Sequence, residues 1–275
     1  MVVKSLEQTN IEQIIDCFLL SFENYFVRMP TDKSFYKQRW HAAQVNFELS
    51  FGMFDGDQLV GFILLIVDYR NGRKTAFNTG TGVIPEYRGQ NIVATIYQKA
   101  LGELKNNGIT FSSLEVITKN IYAIRSYESI GYKICRYYKC FSGEIQLKKP
   151  TSVTITAVDL KDVDWSNLPQ QQYYSWDNQQ ASIQRNEKFQ FYEVSANQTV
   201  VGYFILLSNS GYLAQLEVYF EDPMNWNHMF SGISKLSKKI MINNVDDRRI
   251  EKCQALLSVG LDNTIDQYEM EMDLS

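Results

Sequence analysis

The segment Gly80-Thr81-Gly82-Val83-Ile84-Pro85-Glu86-Tyr87-Arg88-Gly89-Gln90-Asn91-Ile92-Val93-Ala94 limits the fold of this chain more than any other. An apolar strand ends at a proline, a short polar loop with an Arg-Gly pair follows, and an apolar-periodic helix begins at once. Strand–loop–helix units of this kind belong to α/β architectures. Successive N–H groups at a helix start converge on one point. The helix dipole favours negative charge there, and Arg88 adds a cation. The segment therefore reads as a backbone cradle for an anion. It is not the nucleotide P-loop, which ends in Gly-Lys-Ser/Thr, nor the dinucleotide fingerprint, which needs three spaced glycines. Taken alone, an Arg-Gly turn is usually only a turn.

The flanking sequence supplies a mixed α/β frame. Ile11, Ile14, Ile15, Phe18, Leu19 and Phe22 recur at helical spacing behind the capping residue Asn10. A second amphipathic stretch covers residues 35–47. An acidic-Gly turn, Asp55-Gly56-Asp57, between apolar residues 51–55 and 59–67 predicts a hairpin. A turn at Arg70-Asn71-Gly72-Arg73 leads to the strand that ends near Ile84. A helix is expected over residues 91–106, stopped by Gly108, then a strand over 111–118, a helix over 121–130 closed by Gly131, and a strand over 132–141. In that last helix Asn120 is the natural cap, and Tyr127, seven residues on, projects from nearly the same face.

The second half repeats the order. Residues 191–196, the turn Asn197-Gln198 and residues 200–207 resemble the first hairpin, with Gly202 following Gly61 by 141 residues. A helix over 251–259, then Gly260-Leu261 and a strand over 267–274 resemble the earlier helix–glycine–strand ending, with Gly260 following Gly131 by 129 residues. This points to a duplication, carried by element order more than by identity. Charge divides too: residues 1–146 hold 16 Lys+Arg against 14 Asp+Glu, and residues 147–275 hold 11 against 17. The change falls near Leu147-Lys148-Lys149-Pro150-Thr151, where the proline marks a boundary. Two domains are expected, 1–146 and 151–275.

Several classes are excluded. A net charge of −4 does not suit a nucleic-acid binder, and no nucleic-acid partner is expected. No apolar run is long enough for a membrane span, and residues 1–13 lack the apolar core of a leader. Cys17, Cys135, Cys140 and Cys253 form no CxxC pair, and the only histidines are His41 and His228. No metal site is expected; buried reduced thiols in a cytoplasmic protein are.

Together, the first segment and Leu114-Glu115-Val116-Ile117-Thr118-Lys119-Asn120-Ile121-Tyr122-Ala123-Ile124-Arg125-Ser126-Tyr127-Glu128-Ser129-Ile130-Gly131-Tyr132 resemble the Gcn5-related N-acetyltransferase (GNAT) family. The first is similar to that family's acetyl-CoA motif, V-x-P-x-x-R-G-x-G-x-G/A, and the second to its N-x-x-A-x-x-x-Y-x-x-x-G-F/Y motif. The resemblance covers about residues 1–145. Asn91 stands where the loop's central glycine is usual, and Val93 where Gly or Ala is usual; Asn tolerates left-handed backbone better than most residues. The resemblance, with the duplication, implies an α/β (α+β) chain of two acyl-CoA N-acyltransferase-like domains in tandem, each a mixed sheet flanked by helices. It implies acetyl-CoA as co-substrate. Backbone groups of Thr81, Gly82 and Val83 would bond the pantetheine arm. Amides of Gly89, Gln90, Asn91, Ile92, Val93 and Ala94 would hold the pyrophosphate, with Arg88 opening the loop. Asn120 would bond the pantetheine, Ala123 would leave room for it, and Tyr127 would sit at the thioester sulfur.

The chemistry can be argued from the residues. A neutral amine attacks a thioester carbonyl, an oxyanion forms and a thiolate leaves. An N–H near Val83 could stabilise the oxyanion. Tyr127, with an ordinary pKa near 10, can protonate a departing thiolate. Glu115 is the candidate base, twelve residues before Tyr127, the spacing of base and acid in the family's ribosomal-protein N-terminal acetyltransferases. The competing reading of Glu115 is an ion pair with Arg125 or Lys119; that of Tyr127 is a packed core ring. His41 is an alternative base. Tyr25, Phe26, Arg28 and Met29 lie where the family's acceptor pockets form. Trp165, Tyr173, Tyr174 and Trp176 open the second half as pocket or core residues.

In the second half the loop is missing. The corresponding stretch, Glu217-Val218-Tyr219-Phe220-Glu221-Asp222-Pro223-Met224-Asn225, has no Arg-Gly, and Leu256 falls near the place of the tyrosine. A degenerate domain is expected there. The expected function is transfer of acetyl to a primary amine, on a small molecule or a peptide, by direct attack, with the acidic second half favouring small cationic amines. The rival is a non-catalytic acyl-CoA sensor or interaction protein. Oligomeric state is left open.

Overall fold

The computed structural model describes residues 1–70, 72–207 and 209–275. In chain order the elements are β1 (Val2–Ser5), α1 (Ile11–Ser21), α2 (Lys33–Ala42), β2 (Phe51–Asp55), β3 (Gln58–Arg70), β4 (Arg73–Val83), α3 (Ile92–Asn106), β5 (Phe111–Ile117) and α4 (Ile121–Ile130). They continue with β6 (Lys133–Glu144), β7 (Thr154–Val158), α5 (Gln180–Gln184), β8 (Phe189–Ala196), β9 (Thr199–Leu207), β10 (Tyr212–Val218), α6 (Pro223–Leu236), β11 (Lys239–Asp246), α7 (Ile250–Ser258) and β12 (Asp262–Asp273). Asn71, in the expected turn before β4, lies outside the described residues.

The chain forms two compact units, the first Met1–Cys135 with Tyr268–Ser275, the second Arg136–Gln267. The change of unit expected near Pro150 thus falls earlier, inside β6, and the chain returns to the first unit inside β12. Strand propensity reads straight through both points, because a strand that passes from one unit to the next keeps the same alternation.

In the first unit the sheet runs β1-β2-β3-β4-β5, with the C-terminal part of β12 beside β5. Asn10 caps α1 by accepting from Glu12 N at 2.9 Å, an interaction of about 1 kcal/mol. Ile14, Ile15 and Phe18 on its inner face are buried against β3. Helix α2 starts behind the cap Asp32 and ends at Ala42, shorter than the expected stretch to 47, because Gln44 turns left-handed (φ 56°). Strand β3 is buried from Leu59 to Ile66, the continuous apolar pattern of a strand covered on both faces.

In the second unit the order is β7-β8-β9-β10-β11, with β6 beside β11. The β8–β9 turn uses Asn197 and Gln198, both at positive φ (49° and 65°), the conformation a tight hairpin demands. Phe204, Leu206, Leu216, Met229 and Phe230 form its core under α6. Gly202 pairs with Val218 as Gly61 pairs with Val83. A Cβ on Gly61 would lie 2.8 Å from Ile92 of α3, and one on Gly202 would lie 2.5 Å from Met229 of α6. Both glycines let a helix sit close on its sheet.

Candidate active site

Strand β4 pairs in parallel with β5 only from Thr75 to Asn78, against Phe111 to Leu114. Its register with β3 shifts between Gly80 and Asn78, leaving Thr79 as the bulged residue. Bulges bend a strand and end its pairing. Beyond this point β4 keeps β3 on one edge and loses β5 on the other, so backbone groups around Thr81, Gly82 and Val83 edge a gap. The gap opens into a cavity of about 290 Å³, whose wall includes Tyr25, Thr81, Glu115, Asn120, Ala123 and Tyr127. Gly82 faces away: a Cβ there would lie 2.6 Å from Ser21 and 2.8 Å from Phe62.

The loop after β4 has Gly89 at φ 76° and Asn91 at φ 58°. Asn91 thus occupies the left-handed conformation that favours glycine, which Asn bears at less cost than most residues. Helix α3 follows with no side-chain cap and no acidic residue in its first turn. The first amides of a helix have no partner within it, so those of Ile92, Val93 and Ala94 form an anion-receptive end. Ile92 is buried and Val93 packs partly against the core; Gln90 is exposed. Arg88 is a tie rather than a free cation. Its guanidinium donates to Val83 O (3.2 Å) and Ser21 O (3.0 Å), fixing the end of β4 to the end of α1.

Asn120 caps α4, its Oδ1 accepting from Ala123 N at 3.3 Å. Tyr127 is buried on α4. Burial pushes its hydroxyl well above the ordinary tyrosine pKa, against smaller opposing effects of hydrogen bonds with Thr81 and Asn78. Glu115, half-buried on β5 between buried Leu114 and Val116, turns its side chain to the cavity wall. The structure thus brings Thr81, Glu115, Asn120, Ala123 and Tyr127 to one cavity. His41 is exposed on the last turn of α2 and does not line it. Tyr25 and Met29 line it; Phe26 and Arg28 are exposed.

Sequence reasoning missed the support behind Tyr127. Asn78 Nδ2 donates to Thr81 Oγ1 and to the Tyr97 hydroxyl, both at 2.6 Å. The Tyr132 hydroxyl donates to that of Tyr97 at 3.3 Å and lies 2.6 Å from Ser112 Oγ. The Tyr97, Tyr127 and Tyr132 rings meet edge to face. Tyr97, buried on α3, carries no sequence signal beyond core packing.

The second unit has the same frame with another filling. Strands β10 and β11 share the single pair Tyr212–Met241 before parting. The cap of α7 is Arg249, with φ −83° and ψ 65°, where Asn120 has φ −86° and ψ 66°. Lys252 and Leu256 follow Arg249 as Ala123 and Tyr127 follow Asn120. Glu217 of β10 accepts from Arg249 (2.9 and 2.8 Å), from Lys252 (3.0 Å) and from the Tyr174 hydroxyl (3.0 Å). The cavity there measures about 10 Å³. Helix α6 starts with Pro223, and Asp222 caps it, its own carboxylate accepting from Met224 N at 2.7 Å. Trp165, Tyr174 and Trp176 are buried in this unit.

Cys17, Cys140 and Cys253 are buried free thiols, but Cys135 is exposed, against the expectation for all four. Among the described residues, Cys135, Glu269 and Glu271 bring ligand-type atoms within 4.8 Å of one another; Arg70 already engages Glu269, so the group reads as part of an ion pair. No helix of the described residues is long and apolar enough to cross a membrane.

Residues 12–132 match the family model "Acetyltransferase (GNAT) family". A search of curated proteins finds no match. Among solved structures, a putative acetyltransferase from Pyrococcus horikoshii superposes over 99% of this chain and 89% of its own, at 11% identity and a TM-score of 0.69. A tandem GNAT protein from the clavulanic acid biosynthesis pathway covers 100% and 98%, at 12% identity and a TM-score of 0.65. A GCN5-related N-acetyltransferase from Anabaena variabilis covers 100% and 73%, at 18% and 0.61. At these identities the likeness is one of fold, and it extends over both units. Residues 12–132 thus match the GNAT acetyltransferase family model, and the whole chain is similar in fold to a tandem GNAT protein.

Proposed function

We propose that the first unit transfers acetyl from acetyl-CoA to a primary amine by direct attack, and that the second unit is a degenerate copy that binds no acyl-CoA. The observation that carries the reading is the parting of β4 from β5 beside buried Tyr127, at the head of a helix whose amides are uncapped. Acetyl-CoA supplies the activated thioester. Backbone groups of Thr81, Gly82 and Val83 hold its pantetheine arm along the open edge of β4. Amides from Gly89 through Ala94 take the pyrophosphate, with Gly89 and Asn91 turning them inward. Arg88 fixes that loop through Val83 O. Asn120 and Ala123 complete the arm's channel.

Glu115 takes the proton of the incoming ammonium, directly or through water, and Tyr127 returns one to the departing thiolate. A tyrosine held protonated by burial suits the second role. No cysteine is needed as an acetyl carrier. In the second unit, Arg249 and Lys252 fill with paired charge the space that Asn120 and Ala123 leave open, and Asp222 supplies the anion its helix end would otherwise seek.

Calorimetric titration with acetyl-CoA tests the reading. One site per chain is expected, lost or weakened by Arg88→Ala. Tyr127→Phe should bind acetyl-CoA and lose turnover by about a hundredfold or more. No binding would overturn the proposal; binding without turnover on any amine would leave an acyl-CoA sensor.

A further inference from the structure

The amine-side end of the first unit's cavity has a composition that the acetyl-CoA side does not share. Its wall is a mosaic of rings. Phe18 stacks on Phe22 at 4.5 Å and meets Tyr36 at 4.9 Å and Trp40 at 5.8 Å, and Phe22 meets Tyr25 edge-on at 4.8 Å. All five rings line the cavity. Because each ring is packed against the next, the wall is formed before a ligand arrives, which saves the ordering cost of binding. Exposed Phe35, also on the wall, touches Tyr36, and exposed Phe26, off the wall, touches Tyr25.

Charge at this end is sparse. Among the described lining residues, Glu115 is the one carboxylate and Arg39, exposed on α2, the one cation among Lys and Arg. A polyamine or an amino sugar with several ammonium groups needs several acceptors to replace lost water. This wall offers one carboxylate, Glu115, and one guanidinium, Arg39. A flat apolar body gains from such rings through area and edge-to-face contact, and an approaching ammonium gains from their faces.

We infer that the acceptor is a monocationic primary amine carried on an apolar, ring-sized body, of the arylalkylamine class. Its amine lies toward Glu115 and its ring against Phe18, Phe22, Tyr25, Tyr36 and Trp40. This rests on the reading of the first unit as an N-acetyltransferase, and it narrows the expectation of a small cationic amine drawn from the acidic second half.

The test is initial-rate release of free CoA thiol by the full chain with acetyl-CoA and a panel of amines: phenethylamine, tryptamine, ethylamine, spermidine and a short peptide with a free N-terminus. Acetyl-CoA binding is measured separately by calorimetry. The expected result is a kcat/KM for phenethylamine or tryptamine at least about tenfold above that for ethylamine and spermidine. Phe22→Ala, at a half-buried ring, should raise the arylalkylamine KM about tenfold while the acetyl-CoA Kd stays put. Arg39→Glu, on the exposed rim, should lower the KM for spermidine. Equal or better use of spermidine, ethylamine or the peptide by the native chain overturns the inference and leaves the acetyltransferase reading standing. Failure to bind acetyl-CoA overturns both.

Discussion

Arg70 at the end of β3 donates from Nη1 to Glu269 Oε1 of β12 at 2.6 Å, inside the first unit, although 199 residues of chain separate them. Both side chains are nearly inaccessible, at 5% and 0%. The pair ties the last eight residues to the first unit, where Leu274 N also donates to Thr110 O at 2.9 Å. Removing one partner of a buried pair leaves an uncompensated charge, so Glu269→Ala should cost about 3–5 kcal/mol. Replacing both, as in Arg70→Met with Glu269→Leu, should recover most of that loss. Urea unfolding of the full chain, followed by the cycle of single and double variants, checks this; additive losses would contradict it.

Tyr127 bears on pH. Its folded pKa is raised by burial, and Tyr132 is likewise pushed up to about 12. A raised folded pKa means that the unfolded tyrosine loses its proton first. The stabilising contribution is therefore whole below about pH 10 and is lost as pH rises further. Chemical unfolding at a series of pH values should show stability falling from about pH 10 upward, and Tyr127→Phe should lessen the fall. For turnover, the acid limb of Tyr127 should be absent from the kcat profile below about pH 10.

The thiols should separate cleanly. Cys17 is buried and its thiol is pushed up to about 12 by desolvation; Cys140 and Cys253 are buried, and burial also raises Cys253. Thiolate is the reactive form. A colorimetric thiol reagent at neutral pH should modify one cysteine of the native chain quickly, Cys135, and the other three only after denaturation. Cys135→Ser should remove the fast phase.

Glu217 pairs with both Arg249 and Lys252 in the second unit. Glu217→Gln would leave Arg249 and Lys252 buried with less compensation, a loss of about 3–5 kcal/mol by the same rule. Thermal melts should show it. Calorimetry of the native chain should still find one acetyl-CoA per chain; a second site would mean that the paired charges do not close this cleft.

Much of the fold was legible because it is local. Cap and period placed α1 and α4: Asn10 and Asn120 each sit one residue before the helix they cap. The turn residues Gly56, Asn197 and Gln198 fall at positive φ where the hairpins required them. The separation of 129 residues between Gly131 and Gly260 also relates Asn120 to Arg249 and Tyr127 to Leu256. Strands β1, β7, β10 and β11 and helices α5 and α6 escaped notice; β1 and β7 are short edge strands with no fully buried residue.

Within the candidate site, the loop glycine and left-handed Asn91 were readable, since backbone conformation leaves its mark on residue choice. The role of Arg88 was not. A guanidinium can face a phosphate or a carbonyl with the same sequence around it, and only the approach of Ser21 O and Val83 O decides. The chain from Ser112 through Tyr132 and Tyr97 to Asn78 likewise joins four separate segments.

By itself the sequence determined the order of helices and strands, the two motifs and the duplication, because each depends on neighbours a few residues apart. Tertiary structure alone decided that residues 268–275 complete the first unit, that five rings gather beside Glu115, and that Arg249 and Lys252 close the second cleft. Those depend on which side chains meet across tens of residues to almost two hundred, where burial makes a charge costly unless its partner is present.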